Sequence, residues 1–310
     1  MTIACVFPGQ GSQAVGMLAG LAAAYPEVEE TFAVASQALD YDLWRLTQQG
    51  PETELNRTDK TQPAMLAAGV AVWRVWQKRN GPQPLYMAGH SLGEYTALVC
   101  AGAMDLQSAT RLVAERGRYM QEAVPAGQGA MAAILGLADE QVVATCDQAA
   151  QAEVVAAVNF NSPGQVVIAG HSGAVSRAVE IAKQAGAKRA LLLPVSVPSH
   201  CSLMGPAVER LARYLHDVEI KPPQIPVFSN VDVDLCETPA AIRDALVRQL
   251  VSPVRWVEII QAMARNGVRS IVECGPGKVL AGLNKRIDRE MAALPVHDPV
   301  SLNEALAATA

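Results

Sequence analysis

Residues 84–95 read PLYMAGHSLGEY. PLYMAG (84–89) is a short apolar run of strand length, and residues 92–101 continue as a helix directly after Ser91. Gly89-x-Ser91-x-Gly93 therefore lies between strand and helix, the setting of a nucleophile elbow. A turn this sharp strains the serine backbone, so the residues two away on either side must be small. The helix that follows points its first backbone N–H groups at the site, where they can stabilise an oxyanion. A second reading stays open: Ser91 as an N-cap, with Glu94 three residues on completing a capping box.

Outward from this stretch, strands and helices alternate. IACVF (3–7) is a buried strand ended by Pro8-Gly9, and residues 29–39 and 62–79 have helical spacing. Residues 106–124 form an amphipathic helix closed by Pro125-Ala126-Gly127. RSIVECG (269–275) is a strand, followed by a Gly-Pro-Gly turn and a helix from about residue 278. Such alternation predicts an α/β body with a mostly parallel sheet, of the α/β-hydrolase-like kind. Residues 128–195 read differently. AMAAILG is a strand, ADEQVVATCDQAAQ a helix, VVAAVNF and QVVIAG two strands joined by Asn-Ser-Pro-Gly, SGAVSRAVEIAKQAG a helix and RALLLPVS a last strand. The order βαββαβ is the ferredoxin-like unit. The expected organisation is a large subdomain, 1–127 and 196–310, with a small ferredoxin-like subdomain, 128–195, inserted. The alanine-rich tail, 303–310, is expected to fray.

Composition narrows the function. Charged residues make up only 18% of the 310 and net charge is −5, which disfavours nucleic acid as a partner. Cysteines 5, 100, 146, 201, 236 and 274 are scattered without a CxxC pair. That argues against a zinc site or disulfide framework and fits reduced thiols in a cytoplasmic protein. MTIACVFPGQGSQ has no basic flank and breaks early at Pro-Gly, unlike a signal peptide. No run of about 18 apolar residues occurs, so no membrane span is expected.

A nucleophilic serine needs a base. Of histidines 90, 171, 200, 216 and 297, His200 leads, because VPSHCSLM lies where the chain leaves the small unit and before a helix starts. Unperturbed, its activity would fall as pH drops through roughly 6–7. No convincing carboxylate lies between Ser91 and His200. Glu180 is nearest, mid-helix in the small unit, so a backbone carbonyl could orient the histidine and leave a dyad. Arg116 falls on the edge of the apolar stripe Ala109, Val113, Gly117, Met120 and Val124. A guanidinium there needs an acceptor. On the residues alone a protein carboxylate is the favoured partner, with a substrate carboxylate the alternative. Gly9-Gln10-Gly11-Ser12-Gln13-Ala14 matches GxGxxA, but Glu29 and Glu30 sit in a helical stretch and Pro8 breaks the entry. The glycines are better read as letting backbone approach Ser91. Gly275-Pro276-Gly277-Lys278 lacks the rest of a P-loop and reads as a tight turn.

FPGQGSQ, GHSLGEY, RG-x-x-M at 116–120, NFNSPGQVVIAG at 159–170, PSHC at 198–201 and ECGPG together resemble the malonyl-CoA:acyl carrier protein transacylases of bacterial type II fatty acid synthesis, over essentially the whole chain. The resemblance implies that Ser91 is acylated by malonyl-CoA, and that His200 activates it and then protonates the departing CoA thiolate. It implies an oxyanion hole from the backbone N–H groups of Gln10 and Leu92. Arg116 would clamp the malonyl carboxylate, and the backbone carbonyl of Gln249 would orient His200. The malonyl group would pass to the phosphopantetheine thiol of acyl carrier protein, with no metal and no cofactor of the enzyme's own. Val197-Pro198-Ser199-His200 matches neither common polyketide version of the motif that ends in the catalytic histidine. The rivals are a discrete polyketide acyltransferase, a serine hydrolase or thioesterase, and a non-catalytic carrier-docking protein. Lys188-Arg189 and Lys285-Arg286 are candidates for meeting an acidic carrier.

Overall fold

IACVF folds into β1 (Ile3–Phe7), and its side chains divide between two cores. Ile3, Cys5 and Phe7 pack with the helices Thr58–Lys78 and Leu106–Ala123 on one face. Ala4 and Val6 pack on the other, against the helix Trp256–Arg265 and Leu280 and Leu283 of the helix Val279–Ile287. A strand covered on both faces has no solvent side, which is why it reads as an unbroken apolar run. The computed structural model describes residues 2–195 and 197–310.

Eight further strands follow among the described residues: β2 (Tyr86–Gly89), β3 (Gly129–Leu135), β4 (Val155–Ser162), β5 (Gln165–His171), β6 (Arg189–Leu192), β7 (Val227–Phe228), β8 (Ser270–Cys274) and β9 (Ala292–Val296). They form two sheets. One has the order β7-β2-β1-β8-β9, and all of its pairings are parallel. The other has the order β4-β5-β3-β6 and is antiparallel throughout. The molecule is thus an α/β protein with one parallel and one antiparallel sheet. β2 lies on one side of β1 and β8 on the other, so the connections diverge there. The carboxyl ends of such strands leave a crevice outside the sheet.

The antiparallel sheet buries one face under the helices Asp139–Ala150 and Ser172–Gln184. Its other face, through Met131, Val158, Val167 and Ala169, meets Cys201 of the body. The register of β4 slips twice, between Ala157 and Asn159 and between Phe160 and Ser162. At the first slip Asn159 bridges to Val254, with Phe160 N–H donating to Val254 O at 3.0 Å and Val254 N–H to Val158 O at 2.9 Å. A bulge turns a strand locally, and here it stitches the small sheet to the body.

Three expectations are corrected. The tail does not fray: Pro299–Thr309 is a helix with Leu302, Ala305 and Thr309 buried. Asp298 caps it through Ser301 N–H at 2.7 Å, Pro299 sits in its first turn, and alanine suits the interior. The last strand of the small unit ends at Leu192, short of the expected 189–196. Ser196, and with it the boundary placed there, lies outside the described residues, as does Met1. The long helix begins at Thr58, four residues before the expected start, so Pro63 lies inside it. Among the described residues no helix is long and apolar enough to cross a membrane.

Replacing Asp298 with Ala should remove the cap and lower stability by about 1 kcal/mol. Thermal melting checks this, and an unchanged midpoint would show that the tail helix stands on packing alone.

Candidate active site

The carboxyl ends of β1, β2, β7 and β8 carry Gln10, Ser91, Asn230 and Gly275 toward one crevice. At the elbow Ser91 has φ 53°, in the left-handed region that L-residues rarely adopt. A Cβ on Gly89 would lie 1.7 Å from the carbonyl carbon of Gly93, and one on Gly93 would lie 2.1 Å from Phe7 O. Only glycine fits at either position. Asn230 holds the turn: its Oδ1 accepts from Ser91 N–H and its Nδ2 donates to Gly89 O, both at 2.7 Å. The capping box is not made. The helix Gly93–Cys100 has Leu92 as its cap with no side-chain bond. Glu94 turns inward, where Oε2 accepts from Asn230 N–H at 3.1 Å and from Gln249 Nε2 at 2.7 Å.

Ser91 Oγ lies 2.7 Å from His200 Nε2. His200 Nδ1 lies 2.8 Å from the backbone oxygen of Gln249. A carbonyl can only accept, so Nδ1 carries the proton and Nε2 offers its lone pair to the serine hydroxyl. His200 is buried and has φ 66°. Burial first, and then the charge of Arg116, push its pKa down to about 3. The imidazole is therefore held neutral, the form a base requires, and the 6–7 range of a free histidine does not apply to it.

Arg116 is 1% exposed on the helix Leu106–Ala123. Its Nη1 donates to Gln62 Oε1 at 2.8 Å and its Nη2 to Gln249 Oε1 at 2.9 Å. Both partners are neutral amides, and Nε has no partner among the described residues. The favoured protein carboxylate is not there. Glu94 acts on Arg116 from beyond the Gln249 amide, without direct contact. Ser91, His200, Arg116, Gln10 and Leu92 all line one cavity of 290 Å³ at the seam between the two sheets. The backbone N–H groups of Gln10 and Leu92 donate to no protein group among the described residues. Gln249 contributes its side chain to the Arg116 contact as well as its carbonyl to His200, a double part that the sequence did not suggest.

The other histidines lie apart from the Ser91 hydroxyl. His90 turns from its neighbour to Asn161 Oδ1 at 2.8 Å and packs against Trp256. His171 accepts from Val154 N–H, and His216 is on the surface. Glu180 pairs with Lys183 on an exposed face. After β1 the chain runs as turn and loop to the helix Ala19–Ala24, so no helix opens on Gly9-Gln10-Gly11 as a dinucleotide site requires. Instead a Cβ on Gly9 would lie 2.4 Å from His90 O, which is the close approach expected. Sequence reasoning did not mark Asn230 or Gln62, and gave Glu94 only the capping role that the helix does not use. The first follows a strand of two residues, too short to show periodicity; the other two lie inside helices, and only the spatial meeting with Arg116 and Gln249 marks them.

The chain matches the model of the acyl transferase domain family over residues 4–306. It is 60% identical over 304 residues to the malonyl CoA-acyl carrier protein transacylase of Escherichia coli K12, covering 98% of both chains. It is 44% identical to the same enzyme of Bacillus subtilis, over 98% of this chain and 96% of that one. Among solved structures, the acyl carrier protein S-malonyltransferase of Vibrio cholerae superposes with a TM-score of 0.96 at 59% identity, covering 98% and 99%. A malonyl-transacylase solved in complex with a type II polyketide acyl-carrier protein gives 0.98 at 58% identity, covering 99% and 100%.

The His200 ring should stay neutral from about pH 8 to 5, where a free histidine titrates. Its folded pKa lies below the unfolded value of about 6.5. As pH falls, the unfolded chain therefore takes its proton first, and this group removes stability between about 6.5 and about 3. Imidazole resonances followed by NMR check this; a midpoint near 6.5 would contradict it.

Proposed function

The chain belongs to the acyl transferase domain family, and we propose that it carries malonyl groups from malonyl-CoA to the phosphopantetheine thiol of acyl carrier protein, supplying fatty acid synthesis. The observation that carries the reading is Arg116: a buried guanidinium, held by two neutral amide oxygens, facing the cavity that holds Ser91 and His200. A carboxylate leaving water needs its hydration replaced. A guanidinium fork does this with charge-assisted hydrogen bonds, and among the described residues this one meets only neutral amide oxygens.

In the first half-reaction Ser91 Oγ gives its proton to His200 Nε2 and attacks the thioester carbon. The oxygen of that carbonyl takes up the negative charge beside the N–H groups of Gln10 and Leu92, where a single such donor is worth about 10²–10³-fold. As the C–S bond breaks, His200 returns the proton to the CoA sulfur, leaving malonyl-Ser91. In the second half the carrier's thiol gives its proton to His200 and attacks the ester, and Ser91 recovers its proton. General base catalysis of this kind contributes about 10²–10⁴-fold. The Gln249 carbonyl does the orienting that an acid does in a hydrolase triad.

The strand order β4-β5-β3-β6 supports reading 128–195 as a ferredoxin-like subdomain inserted in an α/β-hydrolase-like body, 1–127 and 196–310. The carrier approaches the cavity where Val279 of its lining is exposed. Lys188 and Arg286, one from each candidate basic pair, line a single groove beside it. All six cysteines are free thiols, which supports a cytoplasmic setting. A polyketide carrier is the second reading, favoured by the malonyl-transacylase solved with one.

Malonyl-CoA should add one malonyl mass to the chain, mapped to the peptide containing residues 89–95, and the adduct should pass to fatty acid carrier protein faster than to a polyketide carrier. An adduct that persists in Ser91→Ala would sink the reading.

Arg116→Ala should lose malonyl transfer by about 10²–10⁴-fold, from the roughly 3–5 kcal/mol lost when one member of a buried ion pair is removed. Acetyl transfer from acetyl-CoA should be kept or rise. Arg116→Lys should be nearly as poor with malonyl, because the fork is gone. Equal losses of malonyl and acetyl transfer in a well-folded variant would make Arg116 structural.

A further inference from the structure

We propose that Glu94 is a positioning residue for acyl selectivity: it fixes which end of the Gln249 amide faces Arg116. The inference rests on the malonyl-transfer reading above and names a residue that acts through another.

An amide has a donor end and an acceptor end, and a glutamine free to turn presents either. Here Gln249 Nε2 donates to Ser91 O at 3.0 Å and to Glu94 Oε2 at 2.7 Å, while its Oε1 accepts from Arg116 Nη2 at 2.9 Å. Turned over, the same side chain would set an NH₂ against the guanidinium and an oxygen against two acceptors. Ser91 O alone is a single neutral acceptor. Glu94 Oε2 is the second and the shorter contact, and its carboxyl is itself immobile: it is 2% exposed and its Oε2 also accepts from Asn230 N–H. Asn230 in turn clamps the elbow through Ser91 N–H and Gly89 O. The carboxyl of Glu94 thus joins the turn that aims the nucleophile to the amide that aims the guanidinium.

The role requires an acceptor at that place, not a charge. Both donors meet the same oxygen, so a proton on the other oxygen leaves both bonds in place. Burial raises the Glu94 carboxyl to about 7, so the site works with the group in either form. With that acceptor gone, the amide keeps its sense only through Ser91 O and Arg116 itself, and its shortest contact is lost. One arm of the Arg116 fork is then held less firmly, and the malonyl carboxylate meets a less well aligned partner. An acetyl group, which carries no carboxylate, is indifferent to this.

The test is the ratio of malonyl to acetyl transfer, measured with malonyl-CoA, acetyl-CoA and carrier protein on the full chain, with thermal melting beside it. Glu94→Leu should lower the ratio by about tenfold or more, the scale of one hydrogen bond to a charged group. In an Arg116→Ala background the same substitution should leave the ratio unchanged, because the residue through which Glu94 acts is absent. Glu94→Gln can keep both bonds through its amide oxygen, so the ratio should stay within about threefold of wild type. A folded Glu94→Leu that loses malonyl and acetyl transfer equally overturns the role, as does an equal fall of the ratio in both backgrounds. If Glu94→Leu does not fold, Glu94→Gln decides: a ratio more than about tenfold down in that folded variant overturns the acceptor role. A wild-type chain without malonyl transfer overturns the proposed function and this inference with it. Normal wild-type transfer with a failed Glu94 prediction overturns only the inference.

Discussion

The backbone oxygen of Gln249 receives the Nδ1 proton of His200, and the lone pair on the far nitrogen is thereby aimed at Ser91. A peptide carbonyl cannot rotate away or change its protonation, so the histidine has one tautomer at every pH at which the chain is folded. A carboxylate in that place would favour imidazolium by its charge. The neutral carbonyl does so only through its hydrogen bond, and burial together with Arg116 outweighs it and keeps the ring uncharged. As the base of the proposed reaction it would depend on the developing oxyanion for its counter-charge.

Two positive charges could not share this crevice cheaply. Arg116 is permanently protonated, and a protonated His200 beside it would meet a like charge in a desolvated setting. The arrangement resolves this by letting only one of them be charged at rest. On the proposed reading, an arriving malonyl carboxylate would compensate Arg116 and so remove part of the penalty on protonating His200.

The body sheet was largely legible in the sequence because β1, β2 and β8 are buried on both faces and bounded by Pro-Gly or Gly-rich turns. The small unit was legible because its strands are long and its helices amphipathic. β7 and β9 were not: one has two residues, and the other carries Pro295 on the sheet edge, where a missing N–H does no harm. Ser91 and His200 could be found from the elbow and from the segment where the chain leaves the small unit. The residues behind them carry no mutual spacing: Glu94 and Asn230, and Gln62 behind Arg116, come from separate segments, and the Gln249 carbonyl entered only through the family resemblance, its side chain not at all. Arg116 shows the limit of reading a stripe. Its position on the helix was right, but whether its partner was a carboxylate or an amide depended on elements 54 and 133 residues away.

The cavity walls have a divided origin. Ser91, His200 and Arg116 are all held by the body, whereas Met131, Ala133 and Val167 of the wall belong to the small antiparallel sheet. That sheet joins the body through the short bridge at Asn159 and Val254 and an apolar face around Cys201. On the proposed reading, a change of side-chain size at Met131, Ala133 or Val167 would alter the room beside the acyl group from a stretch of chain that carries none of Ser91, His200 and Arg116, so that part of the wall could vary while the reacting atoms stay where they are.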